Sequence, residues 1–476
     1  MRLRCFVWWT RPARRVRHPD MPSRSARLLL AVLVALALAT ALPAAASALD
    51  AEPGQVVVRF EPGSTAHAAQ AGGDGAKVLK VASVRDALKG LRSRSDVAYA
   101  VPNVRAHAST TQTGTGYVPN DPGRDNRSGA WQDVQWNFAG PAGVNAPRAW
   151  ANLIAAGRPG GRGVTVAVLD TGVAYGNRPP YAISPDFSRS QFLRGFDFVD
   201  RDPYPFDRNG HGTHVAGTLA EATDNGVGLT GLAYGVRLLP VRVLDAAGEG
   251  NASDIAAGIR YATRRGAKII NLSLEFDTDV TAGDIPQILE AVAYARARGS
   301  LVVAASGNEG RARVAYPARA SGVLSVGATT EHACLSEFSN GGSGLDIVAP
   351  GGGVDAPLAA DVNCRPGDTP GRNISQVTLL GRAVDRFGIP SSYEGTSMAV
   401  PHVAGTAALV VAAGVLGTNP SPARIEHRLE TTSRDLGVKG YDTKYGWGLV
   451  DAAAATAPTG TGTGGAGATP VTPAKP

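Results

Sequence analysis

The chain has 476 residues, of which 59 are Gly, 32 Pro and only 6% aromatic, and its formal net charge is +7. That length exceeds one typical domain, and the composition points to a loop-rich α/β protein. The charge sits in one place: residues 1–27 hold eight Arg and one Asp, and the remainder carries 39 basic and 39 acidic residues, which excludes a basic nucleic-acid-binding surface.

In chain order, the basic head runs into LLLAVLVALALATALPAAASA at 28–48. A positive head, a short apolar stretch and a small-residue end make a secretory signal peptide, assigned to residues 1–48, with cleavage after Ala46 or Ala48. The stretch is too short for a comfortable membrane span, so no stable membrane anchor is expected. Met21 is an alternative start that gives a more ordinary signal. Residues 49–108 read as a small α+β unit. QVVVRF has a strand pattern, a Gly-rich turn follows, VRDALKGLRSR offers a short helix, and DVAYAVPNVRAH returns as a strand.

From residue 109 to 457, strand and helix signals alternate, which predicts a mostly parallel sheet with helices on both faces. GVTVAVL at 163–169 is an unbroken β-branched run, expected as a buried strand that carries Asp170 at its carboxyl end. NGHGTHVAG places His211 in a Gly-flanked turn before an apolar run, the mark of a helix start. Further on, VRLLPVRVL is followed by a helix capped near Asn251 or Ser253 and stopped by Gly266. AKIINLSL precedes another helix, stopped by Gly299, and then SLVVAASGNEG. GTSMAVPHVAGTAALVVAAG puts Ser397 at the start of an Ala-rich helix with Pro401 near its beginning. Residues 458–476 are Thr, Gly, Pro and Ala in low complexity and read as a flexible tail.

A serine hydroxyl needs an imidazole to take its proton and a buried carboxylate to orient that imidazole. Asp170, His211 and Ser397 supply these groups in the order Asp, His, Ser. An α/β-hydrolase would instead carry G-x-S-x-G with its histidine after the serine. His214 and His402 read as packing residues. Of three cysteines, Cys5 lies in the head, leaving Cys334 and Cys364 as the pair for one disulfide in an exported protein, with two buried free thiols as the alternative.

Across about residues 117–456 these motifs resemble the subtilisin-like serine peptidases, the subtilase family. The resemblance implies a three-layer fold around a central, mostly parallel sheet, with residues 49–108 as an inhibitor-type propeptide. It implies a secreted, monomeric endopeptidase made as a zymogen. Its partners would be polypeptide substrates and its own propeptide, and its chemistry needs no cofactor. By motif position Asn308 is similar to the family's oxyanion-hole asparagine. Gly248, Gly250, Ser273, Leu274 and Glu275 fall where the family clasps an extended peptide by its backbone. Two departures touch specificity. The family's usual Ser-Leu-Gly strip ends here in Glu275, which either biases the primary pocket toward basic residues or faces outward. About 40 residues, including Cys364, separate the APG at 349–351 from Gly395. The resemblance also suggests structural Ca²⁺ at two places: Asp197, Asp200 and Asp202, where one ligand position of the pattern is taken by Phe206, and the loop 223–229, with Asn225, together with Asp186.

Overall fold

A computed structural model describes residues 51–61, 76–108, 131–358, 361, 363–366 and 371–458. The signal segment and the low-complexity tail from residue 459 lie outside the described residues, as does most of residues 104–121, where the cleavage that would release residues 49–108 is expected.

Residues 51–108 form β1 (Ala51–Phe60), β2 (Ala76–Lys80), α1 (Val84–Arg92) and β3 (Val97–Ala108). β1 pairs antiparallel with both β2 and β3. The sequence pattern had shown no second strand here, because AKVLK buries no residue fully and carries little apolar signal. α1 is capped by Ser83, whose side chain accepts the Asp86 N–H.

Next come α2 (Trp131–Val134) and α3 (Ala146–Ala155), and then the sheet strands alternate with helices: β4 (Thr165–Asp170), β5 (Phe196–Asp197), α4 (His211–Ala220), β6 (Arg237–Arg242), β7 (Glu249–Asn251), α5 (Ala252–Arg264), β8 (Ile269–Leu272), β9 (Leu274–Glu275), α6 (Pro286–Ala297), β10 (Leu301–Ala305), β11 (Val323–Thr329) and β12 (Ile347–Pro350). The expected stops hold: α5 and α6 are followed by Gly266 and Gly299, both at positive φ. The remaining elements are β13 (Thr378–Leu379), β14 (Phe387–Gly388), α7 (Thr396–Ala413), α8 (Pro422–Thr432) and α9 (Ala452–Thr456).

Seven strands make one wholly parallel sheet in the order β12-β11-β10-β8-β4-β6-β5. β4 shows why its sequence is apolar without alternation. Val166 and Val168 enter one core, packed with Val215, Leu219, Val403 and Ala407 of α4 and α7, while Ala167 and Leu169 enter the other, with Ile255, Ile259 and Ile288 of α5 and α6. Both faces are covered, so every residue after Thr165 is buried. α7 is apolar on all sides for the same reason. It is long and apolar enough to cross a membrane, yet 83% of it is buried inside the protein.

From β4 the chain winds outward to β6 and β5 on one side, and to β8, β10, β11 and β12 on the other. Loops at the carboxyl ends of β4 and β8 therefore diverge, and the crevice between them is where an open α/β sheet places its site. Asp170 ends β4, and Ser273 follows β8.

Candidate active site

Asp170 is fully buried, and its Oδ1 accepts the Thr171 N–H at 2.7 Å. The same oxygen stands 2.7 Å from His211 Nδ1, which fixes the imidazole with Nδ1 protonated and Nε2 as the free acceptor. His211 is 2% exposed and opens α4, behind Gly210 at φ 104. Its Nε2 is buried and accepts no hydrogen bond from the described residues.

Ser397 occupies the second position of α7. Its Oγ donates to the Ser273 carbonyl at 3.0 Å, and no hydrogen bond joins it to His211 Nε2. The helices holding the two residues meet at their starts. A Cβ on Gly210 would lie 3.0 Å from Tyr393 Oη, and the Tyr393 ring stacks on His214 with centroids 4.2 Å apart. Pro401 lies inside α7 rather than in its first turn. It has no N–H to give the Ser397 carbonyl four residues earlier, and that carbonyl instead accepts Ser273 Oγ–H at 2.8 Å. Strand β8 and Ser397 are thus joined in both directions through Ser273.

Asn308 faces the same point. Its Oδ1 accepts the Thr396 N–H at 2.8 Å and Thr396 Oγ–H at 3.0 Å, so its amide nitrogen is turned away from Thr396. That nitrogen donates to Glu275 Oε1 at 3.3 Å, and the Asn308 backbone N–H donates to Glu275 Oε2 at 3.0 Å. Glu275 therefore points inward, which removes the outward-facing alternative.

The residues expected to clasp a peptide lie on two walls. β3 enters between them, antiparallel to both: Arg105, Ala106 and His107 pair with Asn251, Gly250 and Glu249 of β7, and His107 and Ala108 pair with Glu275 and Leu274 of β9. Gly248 lies just outside this pairing, at φ 85 in the turn before β7, where only a residue without Cβ sits unstrained.

The expected disulfide is present, joining Cys334 to Cys364. It ties the long segment after the APG at 349–351 to the β11–β12 connection. That segment also covers the back of α4, where the Ile374 carbonyl bonds His214 Nε2 at 3.0 Å.

The two candidate calcium places differ. At the first, Arg242 points from β6 at the aspartates. Its Nη1 lies 2.7 Å from Asp197 and 3.0 Å from Asp200, Asp197 Oδ1 takes the Val199 and Asp200 N–H groups, and Asp202 Oδ1 takes the Tyr204 N–H. This donor set holds a guanidinium and does not fit a metal ion; Phe206 is stacked on Tyr175 and Tyr181. At the second, Asp186 and Asn225 do meet, at 2.8 Å. Asp186 is buried and held by neutral amides alone, and burial pushes its carboxyl up to about 7. Glu221 beside it is also buried and raised, by burial first and by Asp186 next. The Gly228 backbone approaches this carboxyl so closely that a Cβ there would collide with Asp186 Oδ2. Two buried carboxyls with no ion pair to either among the described residues suit a hard divalent ion.

Sequence reasoning missed Asp207. It is 2% exposed, with Oδ1 accepting from Thr171 Oγ, Asn209 N and Gly210 N, and Oδ2 from Thr213 N and Thr213 Oγ. These bonds lock the start of α4 to the loop after β4, so Asp207 positions His211 against Asp170. An Asp four residues before a Gly-flanked helix start was the available signal.

The Subtilase family profile matches residues 161–448. A thermophilic serine proteinase of Bacillus sp. (strain AK1) is 36% identical over 369 residues, spanning 78% of this chain and 75% of its own. Subtilisin Savinase of Lederbergia lenta is 39% identical over 327 residues, 68% of this chain and 99% of its own. Among solved structures, one titled as proteases from Pseudoalteromonas arctica PAMC 21717 superposes with a TM-score of 0.55 at 32% identity, over 68% of this chain and 96% of its own. With that coverage, and a parallel sheet whose strand β4 ends in Asp170 beside helices that begin at His211 and Thr396, the chain belongs to the subtilase family of serine endopeptidases.

Proposed function

We propose that this protein is exported, is held inactive by residues 49–108, and on maturation cuts polypeptides through an acyl-enzyme on Ser397. The observation that carries this reading is β3. A strand of the chain itself lies antiparallel between β7 and β9 and runs toward the start of α7, in the way an extended substrate would. Backbone pairing of this kind is largely blind to sequence, which suits an enzyme acting on many proteins.

In the proposed reaction Ser397 Oγ turns from the Ser273 carbonyl to His211 Nε2 and gives it the proton while attacking the scissile carbonyl. Asp170 holds the resulting imidazolium in place. The oxyanion receives the Ser397 N–H, one of the unpaired donors at the α7 start, and the Asn308 amide. His211 then protonates the leaving amine, and water repeats the cycle to release the acid. Removing the Asn308 amide is expected to cost about 10²–10³ in kcat, a magnitude measured on subtilisin itself. No cofactor enters these steps. Asp186 and Asn225 would hold a structural Ca²⁺, whose charge would offset the buried carboxylates.

Ser397→Ala tests the reading. The variant is expected to lose casein hydrolysis and to accumulate with residues 49–108 still attached. Hydrolysis at the parent rate would remove Ser397 as nucleophile, and normal processing would assign maturation to another protease.

A further inference from the structure

We propose that Glu275 sets the specificity of the cleft by closing the pocket for the side chain that precedes the scissile bond, restricting that position to small residues. The proposal rests on β3 marking the substrate path. With His107 opposite Glu275 and Ala108 opposite Leu274, the strand leads on to Ser273, whose carbonyl the nucleophile touches. On this path the proposal places the side chain next to the attacked carbonyl at the gap between β9 and the Ser306–Asn308 loop.

Glu275 spans that gap. Its backbone belongs to β9, and its carboxylate lies on the far wall, 3.0 Å from the Asn308 N–H and 3.3 Å from the Asn308 amide nitrogen. Gly307, between them, cannot accept even a methyl group: a Cβ there would collide with Glu275 Oε2 and with Asn340 Nδ2. The far side of the pocket is thus filled by polar tips. A large apolar side chain would have to displace the carboxylate from two N–H donors or be buried against it, and either costs free energy. A cation meets a carboxylate already engaged by N–H donors. The wall beyond is short as well, since only Arg311 to Val314 separate GNEG from AYPA. The chain's own sequence after β3 agrees: Ser109-Thr110-Thr111 follow Ala108, and no large apolar or basic residue occurs before Tyr117.

The test compares matured parent and Glu275→Gly on tetrapeptide anilides that differ only in the last residue: Ala, Ser, Leu, Phe or Lys. The parent is expected to give its highest kcat/KM on Ala and Ser. Opening the pocket should raise the Phe-to-Ala ratio about tenfold or more, the scale on which filling an apolar pocket discriminates. Glu275→Asp, whose shorter side chain cannot span the gap, should shift the ratio the same way if the glycine variant does not fold. A parent that prefers Lys, or a ratio unchanged in both variants, would overturn the proposal. Labelling the parent with a fluorophosphonate separates this from the broader reading: an unlabelled parent indicts Ser397, whereas a labelled one with the wrong profile indicts Glu275 alone.

Discussion

Asp207→Asn puts the greatest load on the argument that α4 is held in register from outside the catalytic groups. All five polar neighbours of Asp207 use it as an acceptor: two hydroxyls and three backbone N–H groups. Asparagine keeps the shape but turns one oxygen into a donor. Placed toward Thr213, the new NH₂ orphans the Thr213 N–H, though Thr213 Oγ can still accept from it. Placed toward Gly210, it orphans the Asn209 and Gly210 N–H groups together. The first arrangement is cheaper and leaves one buried backbone donor unmet, at about 1–3 kcal/mol. Losing the charge at the amino end of α4 adds about 0.3–1 kcal/mol. The sum is about 1–4 kcal/mol, to be read as the shift in urea unfolding within a Ser397→Ala background that cannot digest itself. On active protein, loosening His211 by a fraction of an ångström should lower kcat/KM by about ten- to a hundredfold with a smaller change in KM. A urea midpoint and a kcat/KM both at parent values would refute the idea that Asp207 holds the base in place.

Two further predictions concern pH and calcium. His214 and His402 are fully buried, and burial lowers both to about 3. Between that value and the unfolded value of about 6.5 the unfolded chain binds protons that the folded chain refuses, so stability is present above pH ~6.5 and lost as pH falls. His402→Gln, which can still bond the neighbouring Asn137 amide, is expected to flatten the fall in urea midpoint from pH 7 to 4, and an unchanged slope would count against the assignment. Asp186 has the opposite sign. Its pKa is raised to about 7, so its contribution is present below the unfolded value of about 3.8 and lost as pH rises through 7. A divalent cation there replaces the proton, and millimolar Ca²⁺ should raise Tm more at pH 8 than at pH 5. Asp186→Asn is expected to abolish the difference; equal calcium effects at both pH values would exclude a site at this carboxyl.

What could be read in advance divides along sequence distance. β4, the α4 start and the glycine stops of α5 and α6 are local patterns, and runs such as GVTVAVL or NGHGTH already contain the forces that shape them. The pairing of Asp170 with His211 required only that two short motifs meet at the end of one strand. Features that depend on a distant partner were not legible. Arg242 reaches aspartates more than forty residues earlier, and nothing in FDFVDRD distinguishes a loop that holds an arginine from one that holds an ion. Glu275 left the same ambiguity, because the direction of one side chain on a two-residue strand is decided by the Asn308 N–H across the gap. Pro401 is the instructive intermediate. From sequence it lay near the start of a helix; it stands inside α7, and the carbonyl it leaves unbonded is the one that Ser273 claims. A local helix defect was visible in the residues, but its use, tying the nucleophile to the sheet, appears only once β8 stands beside the helix.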